Sequence, residues 1–172
     1  MKVTLREIID SACRATNVDP EIVASIIYCE SGGNKWATRY EPEFYDRYIA
    51  SKTRETLSGF VPDDLPNLTT EKRDRATSFG LAQLLGETLR SRLHFNHDFL
   101  AEALDPELNV LMCATFLATL NEEYTWIEDT DTRITAVVRR YNGKGQRARE
   151  YQEKVYRVRE CRVFESILDK AV

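Results

Sequence analysis

The sequence predicts a mainly α-helical domain. Apolar residues recur at helical spacing through most of the chain, two helices begin with an Asp-Pro pair (Asp19-Pro20 and Asp105-Pro106), and strand signals are sparse. With 172 residues and 42% hydrophobic content the chain is long enough for one compact domain, taken as residues 1–172, with no internal repeat or low-complexity segment.

Taken in order, Thr4 to Thr16 reads as an amphipathic helix through Leu5, Ile8, Ile9, Ala12 and Cys13, and Asn17-Val18-Asp19-Pro20 turns the chain into the next one. There Asp19 caps the free amides, Pro20 suits the first helical position, and Ile22, Val23, Ile26 and Ile27 recur at helical spacing. From Asn34 to Asp46 the pattern is lost among aromatics and charges, which predicts an irregular surface segment with a short helix near Phe44 to Ala50. Pro62 and Pro66, between Leu57 and Thr70, mark a second loop or flap, so that 34–77 reads as an inserted loop region; long unpatterned stretches of this kind are often functional. Thr70 is expected to cap a short helix toward Ala76, and Gly80, inside the apolar run that follows, signals a close backbone approach. Asp105-Pro106 opens a mostly buried helix through Leu108, Leu111, Met112 and on to Leu120. Asp131 or Thr132 opens another with Ile134, Val137, Val138 and Tyr141 at i, i+3, i+4 and i+7, ending at Asn142-Gly143. A long final helix is predicted from about Arg147 to Asp169, with Tyr151, Val155 and Val158 facing inward.

One residue stands out chemically. Glu30 follows Ile26 by four residues and Ile27 by three, so its carboxyl lies on the buried face, in the last turn before Gly32-Gly33, where the macrodipole disfavours a negative charge. Apolar neighbours and the dipole both push its pKa upward, as a general acid for glycosidic cleavage requires. A boundary residue whose head reaches water is the plainer alternative.

The formal net charge of −4 argues against a general nucleic-acid binder, although the stretch from Arg133 to Arg162 is rich in Arg and Lys and reads as a solvated helix face or a contact for an anionic polymer. The start of the chain has no continuous apolar stretch of secretory type, and no run is long enough to span a membrane. Cys13, Cys29, Cys113 and Cys161 are scattered without CxxC spacing, which predicts reduced thiols and folding in the cytoplasm. His94 and His97 lack a ligand set, so no metal and no cofactor is expected, and Ser31 and Ser78 have no His partner in any motif to make them nucleophiles.

Glu30-Ser31-Gly32-Gly33-Asn34, then Ser78-Phe79-Gly80-Leu81-Ala82-Gln83, then Asp105-Pro106 with Leu108 and Asn109, then Arg140-Tyr141-Asn142-Gly143 followed by Tyr151 to Val155, resemble in order the motif blocks of the lytic transglycosylase family of peptidoglycan-cleaving enzymes. The resemblance implies a lysozyme-like helical domain with a substrate groove. In it Glu30 is the sole catalytic acid and base, Gln83 lines the groove and contacts sugar, with Ser78 of the same block also substrate-binding, Tyr141 approaches the Glu30 carboxyl, and Asn142 and Gly143 shape the turn beside it. The chain departs from the family in having Ala82 where Met is common, and in a longer segment between the first two blocks whose RYEPEFY sequence looks like bacteriophage-associated versions.

The implied partner is the peptidoglycan glycan strand, met by a monomer acting alone or within a virion or secretion apparatus, without membrane insertion. The enzyme would be made in the cytoplasm and reach the wall by phage lysis, virion delivery or dedicated export. The implied chemistry is cleavage of the MurNAc-GlcNAc bond with a 1,6-anhydro end, where ordinary glycoside hydrolysis uses two carboxyl groups. Glu41 leaves a hydrolytic, goose-type lysozyme alternative open if it faces Glu30 across the groove; otherwise it pairs with Arg39 or Arg47. Tyr40, with Trp36, Phe44, Tyr45 and Tyr48, is a candidate for stacking on sugar rings. A catalytically silent glycan-binding or virion structural domain, and a purely helical interaction module, are the readings from other classes.

Overall fold

Helix α1 (Leu5–Thr16) starts where the sequence predicts, in a reciprocal capping box between Thr4 and Glu7, and ends at Asn17 in the left-handed conformation. A computed structural model describes residues 3–63 and 67–172. Helix α2 (Pro20–Ser31) is capped by Asp19 and closed by Gly32 at φ +60°, a conformation that suits glycine. Ile22 to Ile27 are buried without interruption, so α2 is a central helix with no solvent stripe over that stretch rather than an amphipathic one. Around it α1 packs on α6 (Pro106–Glu123), α6 on α7 (Thr130–Tyr141), α7 on α8 (Gln146–Glu160), and α8 back on α2. The core at their centre includes Ile26, Ile27, Val110, Cys113, Leu117, Val138 and Val155.

Three boundaries differ from expectation. Asn67, not Thr70, caps α4 (Leu68–Arg75), and Asp129 caps α7 ahead of Asp131 and Thr132. The long final helix is two: α8 stops at Glu160, Arg162 turns through φ +53°, and α9 (Glu165–Leu168) folds back so that Phe164, Ile167 and Leu168 are buried. Arg159 and Arg162 pair with Asp19 at 2.6 Å and Glu21 at 2.7 Å, so part of the basic stretch ties α8 to the start of α2.

Three short strands that periodicity misses, β1 (Thr38–Tyr40), β2 (Thr77–Phe79) and β3 (Leu84–Leu85), form an antiparallel sheet in that order, with Arg39 opposite Ser78 and Ser78 opposite Leu85. Between β1 and β2 the described chain forms α3 (Pro42–Phe44), a π-helical turn over Tyr45–Ile49, a 3-10 turn over Arg54–Thr56, and α4. Of the predicted flap, Pro66 lies outside the described residues, while Pro62 accepts a hydrogen bond from Arg54 at 2.7 Å.

This region is fastened by buried charge. Glu71 on α4 accepts from Arg75 and from Arg90 on α5 (Gly86–Arg92), each Nε at 2.9 Å; both arginines are fully buried and Glu71 is 1% exposed. Arg75 also donates to Glu87 and to the carbonyls of Ser58 and Phe60, and Arg90 donates to those of Phe95 and His97. One carboxylate and two guanidiniums thereby fix two loops and two helices. Removing the carboxylate leaves two buried cations short of their counter-charge, so Glu71→Gln is expected to lower unfolding stability by about 3 kcal/mol; urea denaturation measures it, and residues 53–63 should become the first site of limited proteolysis.

Candidate active site

The turn between β2 and β3, Gly80-Leu81-Ala82-Gln83, is where the separated sequence blocks meet. Asn109, fully buried on α6, accepts from the Ala82 amide at 2.8 Å and donates to the carbonyls of Phe79 at 3.0 Å and Ala103 at 2.8 Å. Gly80 makes this approach possible: it sits at φ +71°, and a Cβ there would lie 2.5 Å from Asn109 Nδ2. Ser31, at the end of α2, donates to the Leu81 carbonyl at 2.7 Å, and Tyr141, at the end of α7, donates to the Ala82 carbonyl at 2.8 Å. The Gly80 amide and the Gln83 side-chain amide both reach the Ala37 carbonyl just before β1. Three helices and a strand are therefore registered on four residues.

Glu30 emerges beside this turn. Burial raises its pKa, and the Tyr151 hydroxyl, then Arg39 and Lys154, pull it part of the way back. Lys154 is held in place by donating to the Cys29 carbonyl at 3.1 Å. The Tyr151 hydroxyl is buried and makes no hydrogen bond of ordinary geometry, so it is positioned to serve the carboxyl without being committed elsewhere. The tyrosine expected at Glu30 was Tyr141, but its hydroxyl is committed to Ala82, with the Cys113 sulfur 3.7 Å away. Tyr141 lies nearly parallel to Tyr151 at 6.5 Å between ring centroids, and so backs the ring that faces Glu30. The signal for Tyr151 was its inward phase on the last long helix.

Glu30 opens into a cleft of about 440 Å³. Ser78, Gln83, Tyr141, Asn142 and Gly143 from the motif blocks line it, joined by Arg39, Phe44, Arg92, Phe116 and Arg140. Gln83 also donates to the Gly80 carbonyl, so its amide nitrogen braces the turn while the side chain borders the cleft. Glu41 lies in the cleft as well, but Arg39 Nε holds its carboxylate at 2.6 Å. Tyr40 is not among the lining residues: strand alternation turns it away from Arg39, toward Tyr45 and beneath the Arg73 guanidinium. Of Trp36, Phe44, Tyr45 and Tyr48, Phe44 lines the cleft, while Trp36 and Tyr48 are solvent-exposed outside it. A second cavity, about 470 Å³ between the α1–α2 turn and helices α6 and α7, contains neither Glu30 nor the β2–β3 turn.

Among the described residues no group of three or more His, Cys, Asp or Glu side chains gathers as a metal site, and no helix is long and apolar enough to cross a membrane. Cys13 and Cys113 are unpaired and buried, which pushes both thiols up to about 12.

The family model for the transglycosylase SLT domain matches residues 7–162. The chain belongs to that family. No curated protein and no solved structure matches it. An SLT domain is an enzyme, a lytic transglycosylase acting on the peptidoglycan of the cell wall, and the mainly α, lysozyme-like architecture accords with this. The match runs from α1 to the end of α8 and so takes in Glu30, the β2–β3 turn and the α7 terminus together.

The turn makes a specific demand on Asn109. Asn109→Ala deletes three buried hydrogen bonds and strands the Ala82 amide with the Phe79 and Ala103 carbonyls. The expected cost is about 2–4 kcal/mol by thermal or urea unfolding, together with lost peptidoglycan release under conditions where the variant is still folded by circular dichroism.

Proposed function

We propose that this SLT domain cleaves the β-1,4 bond between MurNAc and GlcNAc with formation of a 1,6-anhydroMurNAc end, and that Glu30 is its single general acid and base. The observation that carries the reading is the difference between the two carboxyl groups lining the cleft. Glu41 is held in an ion pair with Arg39 at 2.6 Å, whereas Glu30 has no cation within salt-bridge distance among the described residues and is driven toward its neutral form by burial.

As the acid, Glu30 gives its proton to the bridging oxygen, and the bond from that oxygen to the MurNAc anomeric carbon breaks. The carbonyl oxygen of the sugar's own N-acetyl group stabilises the positive carbon, which removes the need for a second enzyme carboxylate. Glu30, now a carboxylate, takes the proton from the C6 hydroxyl of the same sugar. The C6 oxygen bonds the anomeric carbon, the anhydro ring closes without water, and Glu30 is protonated again for the next turnover. A hydroxyl already held on the reacting ring has a high effective concentration, which favours ring closure over attack by water. Tyr151 fits the role of orienting the carboxyl and favouring its charged state at the second step, with Tyr141 holding the Ala82 backbone behind it.

Residues 1–172 act as one catalytic unit and as a monomer, with 34–77 as an insertion that contributes Arg39, Glu41 and Phe44 to the cleft. The RYEPEFY stretch of that insertion supports a bacteriophage-type enzyme that reaches the wall after lysis, from a virion or by dedicated export.

Mass spectrometry of soluble products from purified peptidoglycan tests the chemistry. The wild type and Glu41→Gln should both release muropeptides ending in anhydroMurNAc, with Glu41→Gln within about tenfold of wild type, while Glu30→Gln releases at least about a thousandfold less. Reducing-end products that vanish in Glu41→Gln would instead identify a hydrolase with a second carboxylate.

A further inference from the structure

Three arginines border the cleft, and their states differ. Arg39 is neutralised by Glu41 at 2.6 Å. Arg92 is paired with Glu123 and lies over the Phe116 ring, 5.6 Å from its centroid. Arg140, half-buried beside Tyr141, has no carboxylate within 4 Å and no side-chain hydrogen bond among the described residues. Nor does it balance Glu30, on which the acting cations are Arg39 and Lys154. A position at the C-terminus of α7 explains a basic residue in general, since the macrodipole favours cations there, but Arg139 shares that position without lining the cleft. The chain as a whole carries a net charge of −4, so a guanidinium with no partner in a groove is not part of a general positive surface.

The sugar rings of the glycan carry hydroxyl and acetamido groups and no charge. Negative charge enters through the lactyl arm of MurNAc, either as its own free carboxylate or, where that carboxyl is amide-linked, as the carboxylates of the attached peptide stem. We propose that Arg140 is a specificity-determining residue that binds a carboxylate carried on the MurNAc lactyl arm. The inference rests on the reading of the cleft as the glycan groove. A planar guanidinium takes a carboxylate through two parallel hydrogen bonds, and loss of one such charge-assisted contact in a partly exposed groove corresponds to about a tenfold loss of affinity. Arg92, stacked and already paired, forms the neighbouring wall and is not the anion's main contact.

The test is binding rather than turnover, measured in a Glu30→Gln background by biolayer interferometry against immobilised glycan strands in three forms. One form bears native peptide stems, one bears stems whose carboxyls are capped as neutral amides with carbodiimide and methylamine, and one is stripped by an amidase so that the lactyl carboxylate is free. Adding Arg140→Gln should weaken binding about tenfold to a charged form and leave binding to the capped form unchanged, with Arg140→Lys recovering part of the loss. Loss confined to stem-bearing strands identifies a peptide carboxylate, and loss on stripped strands identifies the lactyl carboxylate. Equal binding by parent and variant on all three forms, or an equal loss on all three, would overturn the assignment to Arg140. A parent protein that binds none of the forms would refute the glycan groove itself.

Discussion

The cleft depends on the three hydrogen bonds by which Asn109 ties the Ala82 amide of the Gly80–Gln83 turn, and the Phe79 carbonyl just before it, to the Ala103 carbonyl. A four-residue turn cannot satisfy all of its own backbone groups, and a buried amide or carbonyl left without a partner costs more than a single hydrogen bond returns. Asn109 takes one amide of the turn and the carbonyl just before it, and the Leu81 and Ala82 carbonyls become fixed acceptors for Ser31 of α2 and Tyr141 of α7. The distance between the end of the helix carrying Glu30 and the end of the helix carrying Arg140 is thus set by backbone geometry rather than by side-chain packing alone. Gly80 is the condition for this, since a side chain there would occupy the space of the Asn109 amide.

Around that turn the molecule separates two uses of charge. Glu71, Arg75 and Arg90 are buried together, and each compensates the others while fastening the region between β1 and β2 to α5. At the cleft the pairing is incomplete: Glu41 and Arg92 have ion-pair partners, while Glu30 and Arg140 have none among the described residues. Groups left without a counter-charge at the rim of a core carry an energetic penalty, and in the proposed mechanism the substrate relieves it, through a glycosidic oxygen at Glu30 and a carboxylate at Arg140.

Much of the helical frame was legible in the sequence because its signals are local. Asp19-Pro20 and Asp105-Pro106 cap the helices they were expected to cap, and Glu30 lies in the last turn before Gly32 as the apolar spacing required. What escaped notice depends on partners distant in the chain. Strands of two or three residues are too short to display a period, so β1 is defined by pairing with β2 some forty residues on, and β3 by pairing back on β2 across the Gly80–Gln83 turn. Helix α4, Leu68–Arg75, has the composition of a solvated helix, yet Glu71 and Arg75 are buried because Arg90 and Glu87 of α5 meet them there. Tyr141 and Tyr151 both read as inward-facing, and which of them meets Glu30 is decided by the stacking of α7 on α8 and by the Ala82 carbonyl that claims the Tyr141 hydroxyl.

In the proposed mechanism burial shifts the Glu30 carboxyl toward its neutral form, with Tyr151 moderating the shift. Carbon-13 NMR titration of glutamate carboxyl groups, with the Glu30 resonance assigned from Glu30→Gln, measures this directly. The Glu30 midpoint should lie above the ordinary glutamate value of about 4.3, and it should rise further in Tyr151→Phe, because the lost hydroxyl favours the carboxylate. A Glu30 that titrates with the solvent-exposed glutamates, unmoved by Tyr151→Phe, would contradict the account.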